Sequence, residues 1–476
     1  MSTKIWQARE IPRFFATINK TLLDAPIALT LAGLGCVALA LSSDLANTFN
    51  APRSGGAPIT LALLVALALT FVCYLAATRL VPIPRLQPHR RRFNLLLYPI
   101  LIWALFTGIQ TVTILGTGLV RSLTVSHVRY GSDDLYYNHY NAVLVLHGEN
   151  PYTGQRLVDE AAYFGEFAFT PIARGRFADP HHYPTQAEMD QVLRAYLAHP
   201  ESLPSEVDPR TTHSYPAGAF LVVLPFVAAG IPSIAFPQIL LFLLLFAAIL
   251  RITPAPWRLP VALLALSAAD GARQAAGSDF EIWPLAFVAL AWIVRERRWS
   301  SALLLGVACA IKQTAWLAAP FYLIWVWREK GAAEAARRAA LAAVTLLVIN
   351  APWIIASPHE WLSSIFLPVS LPLLPDGSGI IGLSLTGLLP LAPSIVFAAL
   401  EVAALVIALF WYSRAQPRYP YAGLILPLIP LLFAWRSPER YFVLSPLIAV
   451  LALALILAQS ACKKPAGANI TPTGPN

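Results

Sequence analysis

Residues 57–78 read APITLALLVALALTFVCYLAAT, a run of 22 residues without a charged side chain. A transmembrane helix needs about 20 mostly apolar residues to cross a hydrocarbon layer of roughly 30 Å, and this run has that length and composition. Similar runs recur along the chain and predict further membrane-spanning helices. The predicted apolar segments lie at residues 26–42, 57–78, 95–120, 235–250, 259–269, 279–294, 300–311, 315–327, 339–356, 385–411, 421–434 and 441–460.

The composition of the whole chain agrees with this interpretation. Of its 476 residues, 57% are apolar and only 12% are charged, about half the charged fraction of an ordinary soluble domain. The net charge of +9 does not point to nucleic acid, because the basic residues sit in short loops between apolar runs, as on the cytoplasmic side of membrane proteins. We therefore expect an all-α polytopic membrane protein whose partner is the lipid bilayer, with no nucleic acid.

The cysteines and histidines do not predict a metal or redox site. Cys36, Cys73 and Cys309 lie within apolar runs and Cys462 lies beside the basic tail, so the spacing of a disulfide framework or a metal centre is absent from the sequence. The histidines form no compact grouping with carboxylates. We expect no metal and no cofactor, and we expect the N-terminal segment to be retained because it lacks a cleavage site.

The basic loops define one consistent topology. Those at residues 79–92, 295–298 and 328–338 all face the cytoplasm in it. Both termini are then cytoplasmic, the C-terminal one marked by Lys463 and Lys464. We expect four regions, namely a cytoplasmic segment with three transmembrane helices (1–120), a large exterior loop (121–234), a helix bundle with exterior loops (235–460) and a cytoplasmic tail (461–476).

The acidic residues favour the exterior assignment of the large loop. Residues 121–210 contain twelve acids, seven arginines and no lysine. The apolar segment from Tyr215 to Gly230 conflicts with this topology, since a crossing there would place Arg251 and Arg258 outside. We expect this segment to be a re-entrant helix or a helix lying in the interface.

The sequence SDDLYYNHYNAVLVLHGENPYTG, residues 132–154, holds the side chains best suited to chemistry. Asp133 and Asp134 open a predicted helix because aspartate is a good N-cap, and a glycine with an Asn-Pro-Tyr turn ends it. Asp134, Asn138 and Asn141 fall on one helical face that is suited to hold a sugar. Two interpretations remain open. The aspartates either only cap an exterior helix, or one of them acts as a general base beside the membrane surface.

Two parts of this stretch resemble the first-loop signature of the GT-C superfamily of membrane glycosyltransferases, in particular the glycosyltransferase 87 group of polyprenyl-phosphate-mannose-dependent mannosyltransferases. They are Asp134-Leu-Tyr-Tyr and Leu144-Val-Leu-His-Gly-Glu-Asn-Pro-Tyr152. The resemblance implies a GT-C-like bundle of about 11–13 transmembrane helices with a large exterior loop containing short helices. It puts the catalytic carboxylate on Asp134, with Asp133 as its neighbour. Three apolar runs precede this loop, where many members have one, and the odd number still leaves the aspartates outside.

Residues 295–325, RERRWSSALLLGVACAIKQTAWLAAPFYLIW, resemble the same enzymes in their basic loop, small-residue helix and following lysine and proline. The resemblance implies that Lys312 lies near the donor phosphate, and a lysine that snorkels to the interface is the alternative. Three arginines in predicted exterior loops suit a phosphate because their forked donors are always charged, although solvated loop charges would look the same. These candidates for the donor phosphate are Arg273, Arg436 and Arg440. The candidates for acceptor or sugar are Asn138, Asn141, His213, Tyr215, Gln274 and Glu439.

We therefore expect a glycosyltransferase of the bacterial plasma membrane with its active site on the periplasmic or exterior face. It would transfer a hexose, with mannose as the first candidate, from a polyprenyl-phosphate donor to a glycan or glycolipid acceptor, with inversion. A lipid-linked glycan polymerase or ligase fits the same topology. A lipid-linked sugar flippase or transporter is the alternative from another class, and it needs charges along a membrane path, of which Glu401 is the main one in the predicted spans.

Overall fold

The computed structural model describes residues 25–49, 56–80, 88–154, 157–165, 168–199, 201–202, 204–208 and 213–462. The predictions for the N-terminal cytoplasmic segment, before Ala25, and for the tail with Lys463 and Lys464 lie outside the described residues. Within the described ranges, helices dominate and the strands are two residues long. The predicted all-α class is confirmed for this part of the chain.

The helices differ in length between the regions. The N-terminal ones are α1 (Ala25–Phe49), α2 (Gly56–Ala77) and α3 (Arg90–Thr124). Short helices follow, namely α4 (Asp133–Leu146), α5 (Pro151–Gly154), α6 (Leu157–Phe164), a 3-10 turn (Gly175–Phe177), α7 (Gln186–Ala198), α8 (Gly218–Leu221) and α9 (Leu224–Ala228).

The remaining chain returns to longer helices joined by short elements. Its first half contains α10 (Ala235–Ile252), a 3-10 turn (Ala255–Trp257), α11 (Arg258–Leu266), α12 (Ala269–Arg273), a π-helical turn (Gln274–Ser278), α13 (Ile282–Ile293), α14 (Arg298–Ile311), α15 (Thr314–Lys330) and α16 (Ala332–Ala356). Its second half contains α17 (Pro358–Ile365), α18 (Leu367–Ser370), β1 (Asp376–Gly377), α19 (Ile381–Leu385), α20 (Ser394–Ala415), 3-10 turns (Ala422–Leu424, Leu426–Leu428, Pro430–Phe433), β2 (Arg436–Ser437), a 3-10 turn (Glu439–Tyr441) and α21 (Ser445–Cys462). β1 and β2 pair in parallel.

Seven helices in the described part of the chain are long and apolar enough to cross a membrane: α1, α2, α3, α10, α16, α20 and α21 with the turn before it. Four shorter apolar segments accompany them, at Ala255–Leu266, Ile282–Ile293, Arg298–Ile311 and Ala422–Phe433. The chain is therefore an all-α membrane protein.

Two predicted apolar segments were wrong in their bounds or their form. The helix predicted to begin at residue 385 begins at Ser394, because a left-handed glycine, Gly387, and the prolines up to Pro393 interrupt the backbone before it. Residues 421–434 form consecutive 3-10 turns rather than an α-helix. Pro427 and Pro430 explain this difference, since each removes a backbone donor that an α-helix would need.

The segment from Tyr215 to Gly230 forms two short helices, α8 and α9, instead of one. Neither belongs to the described helices that are long and apolar enough to cross a membrane, or to the shorter apolar segments beside them. Gly218 in α8 lies against the backbone of Ala310, where a side chain would collide. The segment therefore lies against the end of α14, one turn from Lys312.

The described residues between 157 and 208 form a small apolar core, which includes Phe169, Phe177 and Val192 and is completed by Leu374 of a later loop. This region docks against a later loop. The backbone N–H of Ala173 donates to the carbonyl of Pro372 at 2.7 Å. Beside it, Ile172 and Leu373 form an isolated antiparallel β-bridge.

The close packing of α14 against α16 depends on Gly306. A methyl group there would lie 2.6 Å from the carbonyl oxygen of Ala342 and 2.6 Å from Cβ of Thr345. We expect Gly306→Ala to lower the free energy of unfolding by about 1–3 kcal/mol through overpacking, measured by thermal unfolding in detergent. Gly116→Ala on α3 is the matched control, because nothing lies within 4 Å of that position, and equal stability of the two variants would contradict the packing described.

Candidate active site

A group of five charged side chains lies where the loops from four parts of the chain meet. The ammonium Nζ of Lys312 lies 3.2 Å from Asp134 Oδ2 and 2.7 Å from Glu281 Oε1. It lies 4.0 Å from Asp279 Oδ1. The Nε of Arg440 lies 3.2 Å from the other oxygen of Asp279. We call these five side chains the ion cluster. All except Arg440, whose side chain is 37% exposed, are nearly inaccessible.

Asp134 is presented by the first turn of α4. Ser132, and not an aspartate as predicted, occupies the N-cap position with extended backbone. Its hydroxyl donates to Asp134 Oδ1. Asp133 faces another way, since its carboxylate accepts from the hydroxyl of Thr170 and from the Asp134 backbone. The structure thus separates the two aspartates, with only Asp134 in the ion cluster.

Asp279 and Glu281, which follow the π-helical turn, reach the same place because the loops of Gly131 and Gly277 lie in contact. Gly277 has φ of +114°, a conformation that favours glycine. Its carbonyl accepts from the N–H of Gly131 at 2.8 Å. Asp279 follows with extended backbone, and its Oδ1 accepts from the N–H of Phe280 and of Glu281, which opens α13.

Lys312 enters the cluster from the break between α14 and α15. Its backbone is extended, so the side chain leaves the line of both helices. The residue is buried among carboxylates and does not snorkel to an interface. A buried ammonium is stable only when it is paired, and here the three carboxylates provide the pairing.

The cluster contains one more carboxyl group than cations, and the pKa values reflect this. Burial raises the pKa of Asp134, but Lys312, Arg440 and Ser132 outweigh it and hold that pKa below its usual value. Burial, together with the Asp134 charge, raises the pKa of Asp279 to about 7. Burial would lower the pKa of Lys312, but its carboxylate neighbours raise it well above the usual value. The excess proton therefore lies on Asp279 below about pH 7.

An aromatic wall flanks the ion cluster. Lys312 Nζ lies 4.7 Å from the ring centroid of Tyr215, a distance at which the ring stabilises a cation. The hydroxyl of Tyr152 donates to the Tyr215 carbonyl at 3.0 Å. Behind it, His213 packs against Tyr152 with ring centroids 3.9 Å apart. The Asn-Pro-Tyr turn of the quoted motif thus supports the wall.

Buried polar atoms on α4 lack partners within the described residues. Asn141 donates to Nδ1 of His213 at 2.6 Å, and burial lowers the pKa of that histidine to about 3. The ring is therefore neutral, with its proton on Nε2. That Nε2 and the Oδ1 atoms of Asn138 and Asn141 have no hydrogen-bond partner in the structure. Such atoms are stabilised when a hydroxyl or water reaches them.

Several of the predicted site residues lie apart from the ion cluster. Arg273 is exposed and pairs with Asp270. Arg436 donates to the carbonyl of Leu374 at 2.8 Å and so ties two loops together. Glu439 lies beside Ser43. Gln274 supports Arg440 indirectly, since its amide donates to the Arg440 carbonyl at 2.6 Å.

Asp279 and Glu281 were not predicted as site residues from the sequence. A signal was present, because two acids separated by one residue directly precede the apolar run of α13. The described residues contain no group of three or more His, Cys, Asp or Glu that could hold a metal ion. In the ion cluster the ammonium of Lys312 lies between the carboxylates.

No model of a protein family, no curated protein and no solved structure matches this chain. The resemblance to the GT-C superfamily therefore rests on the two quoted stretches, and the site must be interpreted from its own chemistry.

We expect Lys312→Met to lower the free energy of unfolding by about 3–5 kcal/mol, because it leaves buried carboxylates without their cation. The double variant Lys312→Met/Glu281→Gln removes one of those charges, so it should recover part of the loss. Thermal unfolding of both variants and of Glu281→Gln gives the coupling between the two side chains. Strictly additive effects would contradict the described pairing.

Proposed function

We propose that this protein is a GT-C-type membrane glycosyltransferase, which transfers a hexose, with mannose the first candidate, from a polyprenyl-phosphate donor to a glycan or glycolipid acceptor. The observation that carries the proposal is the buried carboxylate of Asp134 in contact with Lys312 and close to Arg440. Transfer from a lipid phosphate needs a base for the acceptor hydroxyl and cations for the departing phosphate. The ion cluster contains both within one small volume.

The contacts between loops support the proposed topology. The ion cluster joins loops that were all predicted to be exterior. Loops predicted to be cytoplasmic also meet each other, for example where the Leu80 N–H donates to the Arg418 carbonyl at 2.8 Å and where Arg295 donates to the Tyr421 hydroxyl at 2.8 Å. Each set of loops thus gathers at its own side.

The number of spans follows from the same topology. We count as twelve spans the seven long helices, the four shorter apolar segments and α15, which lies at the predicted apolar segment 315–327. An even number places both termini on one side, which the basic loops assign to the cytoplasm. We propose a bacterial plasma membrane protein whose ion cluster faces the exterior.

The proposed reaction is one displacement. The carboxylate of Asp134 accepts the proton of an acceptor hydroxyl as the acceptor oxygen attacks the anomeric carbon. The bond from that carbon to the donor phosphate oxygen breaks, and its electron pair stays with polyprenyl phosphate. The sugar is transferred with inversion. Asp134 then loses its proton to solvent, while Lys312 and Arg440 stabilise the phosphate.

The unpaired polar atoms on α4 fit the sugar in this proposal. Asn138 and Asn141 present acceptor oxygens, and His213 presents a donor N–H. All three side chains are buried, so hydroxyl groups that reach them would form hydrogen bonds sheltered from water. Sugar hydroxyls donate and accept, which matches this mixed set.

We expect Asp134→Asn to abolish transfer of radiolabelled sugar from synthetic polyprenyl-phosphate-mannose by purified protein, because an amide cannot accept the proton. Donor binding should persist, since the amide keeps the shape and Lys312 remains. Asp133→Asn is the matched control on the neighbouring residue and should retain most of the activity. Full activity of Asp134→Asn, or equal loss in both variants, would remove Asp134 as the base.

Asp279 predicts a pH dependence of donor binding. Below pH 7 its carboxyl group is protonated and the ion cluster is neutral overall, whereas above pH 7 the cluster carries an excess negative charge that repels the donor phosphate. Measured on wild-type protein without acceptor, which prevents transfer and keeps the Asp134 charge in place, the donor Kd should be constant at low pH and rise above pH 7, by up to about tenfold per unit.

The matched comparison is Asp279→Asn, also measured without acceptor. The amide cannot ionise, so the rise of the Kd above pH 7 should disappear there. Asp133→Asn, measured in the same way, should leave the rise intact. A rise that persists with Asp279→Asn would assign the pH dependence to another group.

A proton-coupled carrier or flippase for lipid-linked sugars is the second candidate. The buried ion cluster favours it, because buried ionisable groups in membrane proteins commonly form proton relays, and the pKa of Asp279 is near 7. Proteoliposomes distinguish the two, since a carrier would move the lipid-linked sugar across the bilayer without consuming it. A glycan polymerase or ligase would instead transfer whole glycans, which product analysis would reveal.

A further inference from the structure

A second charged site lies at the other end of the helices that hold Lys312. It is a cavity of about 530 Å³ between the start of α14, the end of α15 and the start of α16. The side chains that define it are Arg298, Trp299, Lys330, Glu334, Arg337 and Arg338. We call it the basic pocket. The 14 residues of α14 and the 17 of α15 separate it from the ion cluster by about 20–25 Å, close to the thickness of the hydrocarbon layer.

The carboxylates that line the basic pocket do not neutralise its positive charge. Glu334 is shared by three guanidinium groups, at 2.8 Å from Arg298, 3.0 Å from Arg338 and 3.9 Å from Arg337. Lys330 pairs with Glu296 at 2.8 Å, which is the other lining carboxylate. Four cations therefore face two carboxylates, and the concave shape concentrates the excess charge.

The floor of the pocket is held by hydrogen bonds, and the cations at its rim are accessible to a ligand. Arg338 is buried and donates to the hydroxyls of Ser301 at 3.0 Å and Tyr322 at 2.8 Å, and to the Arg295 carbonyl at 2.6 Å. The cations at the rim are more accessible. Their side chains are exposed by 45% for Arg298, 40% for Lys330 and 64% for Arg337.

One wall of the pocket is apolar and continues along α14. Trp299 is 67% exposed, and Leu303, one turn further and on the same face, is 44% exposed. An exposed tryptophan at the end of an apolar helix is typical of a membrane interface. A ligand with an anionic head and an apolar body matches cations beside such a stripe, whereas a free phosphate would use the cations alone.

We propose that the basic pocket binds the headgroup phosphate of an anionic phospholipid, at the membrane surface opposite the ion cluster. The phosphate would contact Arg298, Lys330 and Arg337, and the glycerol and acyl chains would lie on Trp299 and Leu303. Basic pockets between helices bind anionic headgroups in this way. The proposal does not depend on glycosyl transfer, because it concerns a different site and a binding equilibrium.

The test is lipid binding by the delipidated full-length protein in detergent. Native mass spectrometry of titrations with phosphatidylglycerol and with phosphatidylcholine gives a Kd for each. We expect tighter binding of phosphatidylglycerol to wild type. The double variant Lys330→Gln/Arg337→Gln should weaken that binding by on the order of 10- to 30-fold, since each cation near the phosphate contributes roughly a factor of five.

The matched control is Arg297→Gln/Arg328→Gln, which removes the same charge beside the start of α14 and near the end of α15 but outside the pocket lining. Residue 328 is two positions from Lys330 and so faces another side of α15. The control should change the Kd less than about twofold. Equal losses in both double variants, or no preference of wild type for phosphatidylglycerol, would overturn the proposal.

A third variant and a soluble ligand distinguish a lipid from a free phosphate. Trp299→Gln should weaken phosphatidylglycerol binding severalfold while leaving Lys330 and Arg337 in place. sn-Glycerol 3-phosphate should compete only weakly, because it lacks the acyl chains. Competition as strong as that of the lipid, with no effect of Trp299→Gln, would assign the pocket to a soluble phosphate and overturn the lipid proposal.

Discussion

The ion pairs of Lys312 are the interaction on which the arrangement of the loops depends. An ammonium taken out of water is tolerated only when opposite charges compensate its lost hydration. Its partners come from the N-terminus of α4 and from the loop before α13, and Arg440 joins them through Asp279. Three stretches of chain far apart in sequence must therefore converge on the break between α14 and α15, and the loop contacts of Gly131 and Gly277 bring two of them together.

The helices α14 and α15 connect two sites of different charge, the ion cluster at one end and the basic pocket at the other. α14 ends and α15 begins beside the ion cluster. The start of α14 and the end of α15 therefore lie at the opposite side of the bundle, where the basic residues of the loops predicted to be cytoplasmic are found. At one end the acids exceed the cations, and at the other the cations exceed the acids. The basic pocket therefore carries a net positive charge that the ion cluster lacks, which favours the same orientation that the basic loops predict.

The sequence was most informative where the signal is local. The apolar run at 57–78 became Gly56–Ala77, and the motif from Ser132 gave the helix Asp133–Leu146, ended by left-handed Gly148 as its sequence predicts. The apolar content of residues 421–434 led to a helix prediction that was wrong in form, because Pro427 and Pro430 cause 3-10 turns there. Asp279 and Glu281 were not selected because a pairing across so many residues leaves no periodic pattern. Lys312 and Asp134 were selected separately, by resemblance, and their contact across 178 positions was not predicted.

That contact has a mechanistic consequence under the proposed function. While Lys312 pairs with Asp134, the pKa of the carboxyl group is held low and Asp134 is a weak base. A donor phosphate offers Lys312 another anion, and any shift of the ammonium toward it weakens the pull on Asp134. The pKa of the buried carboxyl group would then rise, since desolvation is the largest influence that remains. Donor binding and activation of the base would thus be one event, which leaves Asp134 a poor base whenever no donor is bound.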